Sequence, residues 1–190
     1  MAFNVDSAIS SAWAVLGLIW FVGLAFTKRT VRSQPVGARL FHLLMVLLGF
    51  ALLGSRWFDS GWLSQRILPV TDELKIAGVL LTMSGCAFAI WARLTLGSNW
   101  SGRATVKADH ELITRGPYAL ARHPIYTGIL LGALGTSLAT CEWRCVLGMV
   151  LLALAFMVKM SQEERLMMQT FPMDYPAYRQ RVKALVPGVF

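Results

Sequence analysis

Apolar residues in this chain come in long runs separated by short polar breaks. The first run covers about Ser7 to Phe26, the second about Ala38 to Ser55, and the third about Leu74 to Leu96. The fourth covers about Tyr126 to Thr140 and the fifth about Arg144 to Met160. A bilayer core ~30 Å thick takes ~20 helical residues to cross. The first three runs reach or approach that length, and the last two are short. Only Cys141, Glu142 and Trp143 separate the last two, which predicts a tight helical hairpin. Thr71 or Asp72 is placed to cap the third helix. After the fifth run, "KMSQEERLMMQTFPMDYPAYRQRV" keeps a helical pattern to about Thr170, where Pro172 and Pro176 are expected to break it. The pattern predicts an all-α integral membrane bundle of about five transmembrane helices. Residues 1–73 would form N-terminal helices and an outer loop, and residues 74–190 a core of three helices with a helical tail.

Composition agrees. Hydrophobic residues make up 56% of the chain and charged residues 15%, with mean hydropathy +0.56. Soluble domains carry about 25% charged residues. The first run is not expected to be a cleaved leader, because it lacks a basic start and is followed by Lys28 and Arg29. The net charge of +8 invites a nucleic-acid reading, but the placement of the charges removes it. Lys28, Arg29, Arg32 and Arg39 lie between runs one and two. Arg103, Lys107, Arg115 and Arg122 lie between runs three and four. Lys159, Arg165, Arg179, Arg181 and Lys183 lie at the C-terminal end. With five spans these regions share one side, and the positive-inside rule makes it cytoplasmic, with the N-terminus outside. Trp57 and Trp62 in the opposite loop suit the membrane interface. Cys86, Cys141 and Cys145 show no disulfide or metal spacing and read as small packing residues.

One stretch departs from the apolar background: "HELITRGPYALARHPIYTG", residues 110–128. It has no HExxH pattern and no zinc spacing, so no metal is expected. Gly116-Pro117-Tyr118 signals a turn. His123-Pro124 carries more. A residue before proline avoids helical angles, and proline suits a first helical position. Pro124 should therefore start the fourth helix with His123 at its mouth. The amide N–H groups there could hold an anion, or Arg122 and His123 could simply anchor the helix at lipid headgroups. In "KMSQEE", Lys159 and Glu163 are four apart and share a helical face. If Glu163 and Glu164 converge with residues 110–126, the site offers carboxylates, helix-start N–H groups and aromatic rings. Such a mixture suits a zwitterion with a positive centre.

These residues carry a resemblance. "NWSG", then "VKADHELITRGPYALARHPIYTG", then "EERLMMQTFPMDYPAYRQRV" resemble the isoprenylcysteine carboxyl methyltransferase family and related phospholipid methyltransferases. The similarity spans about Asn99 to Val182. It implies a membrane-embedded methyltransferase using S-adenosyl-L-methionine. Position by position, the implied cofactor contacts are His110, Glu111, Leu112, Ile113, Tyr118, His123, Pro124, Ile125, Tyr126 and Glu163. The family places a basic residue, commonly Arg, one turn before that Glu and near the substrate carboxylate. Here it is Lys159, which offers a point charge where Arg offers a fork.

The expected reaction is methyl transfer to a lipophilic or lipidated acceptor drawn from the surrounding membrane lipids. A carboxylate is favoured, as in O-methylation of an isoprenylcysteine. An amine of a phospholipid or a thiol are the alternatives. A lipid-binding or scaffolding bundle without catalysis would explain the spans and charges equally well, but not the joint presence of both motifs.

Overall fold

The computed structural model describes residues 4–25, 30–32, 36–54, 56–58, 61–97, 100, 106–107 and 111–188. It is a helical bundle. In chain order it has α1 (Val5–Leu24), β1 (Thr30–Arg32), α2 (Val36–Gly54), α3 (Asp72–Leu96), β2 (Val106–Lys107), α4 (Pro124–Thr140), α5 (Trp143–Thr170) and α6 (Asp174–Arg181). The two short strands pair antiparallel, Thr30 with Lys107 and Arg32 with Val106. Three helices, α1, α3 and α5, are long and apolar enough to cross a membrane, and Leu40–Gly54 and Pro124–Thr140 are shorter apolar helices.

The five long helices run between the same two ends of the molecule. At one end, Ile67 N–H donates to Cys141 O (2.7 Å) and Trp143 N–H to Gln65 O (3.3 Å), tying the loop after α2 to the α4–α5 hairpin. Arg144 at the start of α5 donates to Leu52 O near the end of α2 (3.2 Å). The hairpin itself turns on Cys141, held left-handed at φ 55°. At the other end, the strand pair joins the α1–α2 and α3–α4 connections. There Arg93 of α3 donates to Gly23 O near the end of α1 (2.8 Å) and to Gly97 O (2.9 Å).

Small residues set the tightest contact, α3 against α4. A Cβ at Gly85 would lie 2.4 Å from Gly132 N, and one at Gly128 would lie 2.6 Å from Ala89 N. Apolar helices gain nothing from leaving lipid for each other unless their backbones approach closely, which small residues allow. Thr82 adds a buried hydroxyl that donates to Gly78 O (2.9 Å) in its own helix. A second pair is α2 on α5, where a Cβ at Gly148 would lie 2.7 Å from Gly49 O. α4 and α5 therefore each rest on a separate neighbour, and they frame the site between them.

The helical pattern after Met160 runs to Thr170 as the sequence predicts, and it does so as an unbroken continuation of α5. One expectation needs correction, that for Pro176. Pro176 does not break the chain. It lies in the first turn of α6, where a missing N–H costs no helical hydrogen bond. The hairpin at residues 141–143 and the Thr71 cap, which accepts from Leu74 N–H at 3.3 Å, are as the sequence predicts. Cys86, Cys141 and Cys145 are buried free thiols.

Candidate functional site

The start of α4 follows from its own residues. His123 takes non-helical angles (φ −123°, ψ 58°), in keeping with a residue before proline, and Pro124 opens the helix. The C-terminal tail packs across this point. Lys183 O accepts from Arg122 N–H (2.8 Å), Ala184 O from His123 N–H (2.9 Å) and Leu185 O from the Thr127 hydroxyl (2.8 Å). The tail thus consumes two backbone donors that a free anion would otherwise meet. The N–H groups of Ile125 and Tyr126, in the first turn, have no partner within their own helix by geometry.

Facing α4, one side of α5 carries Phe156, Lys159, Met160 and Glu163 at helical spacing. The Tyr126 hydroxyl donates to both Glu163 oxygens, at 2.9 and 3.0 Å. Lys159 Nζ is 3.9 Å from Glu163 Oε1 and 5.6 Å from the centre of the Tyr126 ring. His123 Nδ1 is 3.6 Å from Glu163 Oε2. The Tyr126 ring is nearly parallel to Phe156 (4.6 Å, 14°) and to His123 (5.7 Å, 13°). With its neighbours so arranged, Tyr126 contributes its hydroxyl, which fixes the Glu163 carboxylate.

Glu164 has a different surrounding. Arg122 Nε and Nη2 donate to its Oε1 at 2.9 and 2.5 Å, and Arg179 Nε lies 3.3 Å from its Oε2. His123 Nε2 is 3.4 Å from the same Oε1. Arg122 also donates to the Val182 and Arg179 carbonyls of α6 and the tail. Two guanidinium groups neutralise Glu164, so its role is to bind α4, α5 and α6 together. Arg122 is therefore spent inside the protein and is not a headgroup anchor. His123 bridges the two glutamates. Burial lowers its basicity, but hydrogen bonds to Glu163 and Glu164, and their charges, outweigh burial and raise its pKa above the ordinary 6.5.

The other expected site residues fall around this centre. Ile113, Tyr118, Ile125 and Tyr126 are buried in one apolar cluster with Phe156 and Met160. Pro124 is fully buried beside them in sequence. Tyr118 is held through its carbonyl, which accepts from the Tyr178 hydroxyl at 2.6 Å. Burial, then the Glu163 charge, push the Tyr118 phenol far above its usual value. Leu112 is half-buried and Glu111 is exposed. His110 lies outside the described residues, as do Lys28, Arg29, Asn99 and Arg103. The sequence reading did not include Arg179, Tyr178 or Phe156 among the groups that build the site. Only Phe156 left a signal, one turn before Lys159 on the same helical face.

Residues 78–169 match the isoprenylcysteine carboxyl methyltransferase (ICMT) family. That stretch holds most of α3, all of α4 and nearly all of α5, with His123, Tyr126, Lys159 and Glu163. A cobalt-zinc-cadmium resistance protein of Cupriavidus metallidurans is 35% identical over 135 residues, covering 70% of this chain and 54% of that protein. A protein-S-isoprenylcysteine O-methyltransferase of Xenopus laevis is 30% identical over 119 residues, covering 61% of this chain and 41% of that protein. The chain thus spans about half the length of these two curated relatives. A probable protein-S-isoprenylcysteine O-methyltransferase of Oryza sativa subsp. indica is 30% identical over 169 residues, 87% of this chain and 80% of that protein. With a similarity that runs through 80% of the rice protein, this chain belongs to the isoprenylcysteine carboxyl methyltransferase family.

Proposed function

We propose that the protein is an S-adenosyl-L-methionine-dependent methyltransferase of the membrane whose acceptor is a lipophilic carboxylate. The observation that carries this reading is the Glu163 carboxylate held by Tyr126, His123 and Lys159 at one end of the bundle. Counting 1.5 Å per residue from the α4–α5 hairpin, Lys159 and Glu163 lie roughly 24 and 30 Å along α5. The hydrocarbon core is ~30 Å thick. The site therefore sits where a water-soluble donor and a lipid-anchored acceptor can meet.

The residues present suit the donor's chemistry. Glu163 supplies a fixed negative charge for a cationic centre. The first-turn N–H groups of Ile125 and Tyr126 supply donors for a carboxylate. The buried layer of Ile113, Tyr118 and Phe156 supplies apolar contact for a flat group. S-adenosyl-L-methionine, when bound, supplies an electrophilic methyl group on a sulfonium sulfur. Glu111, Leu112, His123 and Pro124, with His110, complete the proposed binding set by resemblance. Tyr126 and His123 hold the Glu163 carboxylate in place. Once ionised, the acceptor carboxylate is itself the nucleophile, so alignment at near-attack distance, about 3–3.5 Å, is the chief requirement. Lys159 is assigned to the acceptor carboxylate as its orienting charge. We place the methyltransferase core in residues 74–190 and the site on the cytoplasmic side, with the N-terminus outside.

The test is transfer of labelled methyl from S-adenosyl-L-methionine to an S-prenylated N-acetylcysteine in nanodiscs. The expected product is a base-labile methyl ester. Label that survives base would identify an amine or thiol acceptor, and no transfer to any lipid would return the protein to a non-catalytic bundle.

A further inference from the structure

His42 lies on α2, in a face otherwise committed to packing. On α2 the partly or fully buried residues are His42, Met45, Val46, Gly49, Phe50, Ala51, Leu52 and Leu53, while Leu43, Leu44, Leu47 and Leu48 face outward. Gly49 packs on Gly148 and Leu152 of α5. Seven residues from Gly49 towards the site end lead to His42, and the same two turns from Gly148 to Leu152 lead to residues 155–159. By that register His42 stands level with residues 155–159 of α5, on the side where its ring can meet the Ala155 carbonyl and Lys159. Its Nδ1 is buried and has no hydrogen-bond partner among the described residues. An imidazole among apolar helix residues is costly and needs a reason. His42 packs no polar group of its own helix pair on that nitrogen, and it stands one to two turns deeper in the bundle than Glu163.

We propose that His42 receives the carboxyl group of the lipid acceptor, on the membrane side of Lys159. The inference rests on the carboxylate reading above. A carboxyl group surrounded by hydrocarbon favours its neutral acid. With the other ring nitrogen turned to Ala155, Nδ1 of the neutral imidazole carries the lone pair. The acid's O–H bond breaks and its proton passes to Nδ1. The oxygen keeps the electron pair, leaving a carboxylate and an imidazolium. The new Nδ1–H then donates to one carboxylate oxygen, while the Lys159 ammonium attracts the other. Lys159 alone is a point charge and does not fix an orientation. Two groups on two helices do. The charges balance, since Glu163 already offsets Lys159 at 3.9 Å. After transfer the neutral ester has no charge to hold it at His42, and the proton leaves to solvent.

The experiment compares binding of an S-prenylated N-acetylcysteine and its methyl ester to the full chain in nanodiscs, with S-adenosylhomocysteine present. Wild type should bind the acid at least tenfold more tightly than the ester. His42→Leu should reduce that ratio below threefold, with S-adenosylhomocysteine affinity within twofold of wild type. Should His42→Leu fail to bind S-adenosylhomocysteine, His42→Phe, which keeps a planar ring, decides by the same ratio. An unchanged ratio in the variant, or no preference in wild type, would overturn the assignment. A preference that depends on His42 without any methyl transfer would support the acceptor site and count against the proposed reaction.

Discussion

Two glutamates side by side show how much surroundings decide. Glu164 is neutralised by Arg122 and Arg179, and Glu163 is left to Tyr126, His123 and Lys159. The Lys159–Glu163 pairing is visible in sequence because four residues make one helical turn. The start of α4 is visible because Pro124 acts locally on its neighbour. The partners of Arg122 and the place of His42 are not visible, because they depend on the register between helices far apart in the chain. Lys159→Ala should lower kcat/KM for the acceptor at least tenfold while cofactor Kd stays within about threefold, since the proposal assigns the lost contact to the acceptor. Lys159→Arg should keep most activity. Equal rates for all three proteins in a labelled-methyl assay would remove the orienting role. His123 gives a pH signature. Its pKa is raised in the fold, so its contribution to stability is complete below the ordinary 6.5 and fades as pH rises through the higher folded value. Thermal unfolding in detergent should show that loss in wild type, and His123→Gln should flatten it.

The helices were legible as elements because each apolar run is long. Their observed ends lie within two or three residues of the runs, except where α5 continues through "KMSQEERLMMQT". That continuation matters: it carries Glu163 and Glu164 past the apolar part on a rigid helix. The α3–α4 contact is written in Gly78, Gly85, Gly128, Gly132 and Gly135, yet which glycine meets which only appears in three dimensions. The tail was the least legible element. Val182, Lys183, Ala184 and Leu185 act through their carbonyls, which any sequence would supply. Deleting residues 182–190 removes no side chain assigned to the site, but it removes the acceptors for Arg122, His123 and Thr127. That deletion should weaken S-adenosylhomocysteine binding at least tenfold, measured by calorimetry. Full affinity in the truncated protein would show that the tail does not support the mouth of α4.

For the whole molecule, the five helices share two ends, and the described basic residues Arg122, Lys159 and Arg179 gather at the end with the site. By the positive-inside rule we propose that this end faces the cytoplasm. Reporter fusions after Lys107 and Val182 should both read cytoplasmic, and one after Ser64 external; an external reading at Val182 would reverse the assignment. The proposed reaction between a soluble methyl donor and an anchored acceptor needs the charged cluster of His123, Lys159 and Glu163 to lie where lipid gives way to water. The most direct measurement is the affinity of the nanodisc-embedded protein for S-adenosylhomocysteine in wild type and Glu163→Ala. One lost charge-assisted hydrogen-bonding group is worth about 1.5–3 kcal/mol, roughly ten- to hundredfold in Kd. The account predicts binding by wild type and a loss of that size in Glu163→Ala with the fold intact. Equal affinity in the two proteins, or no binding by wild type, would contradict it.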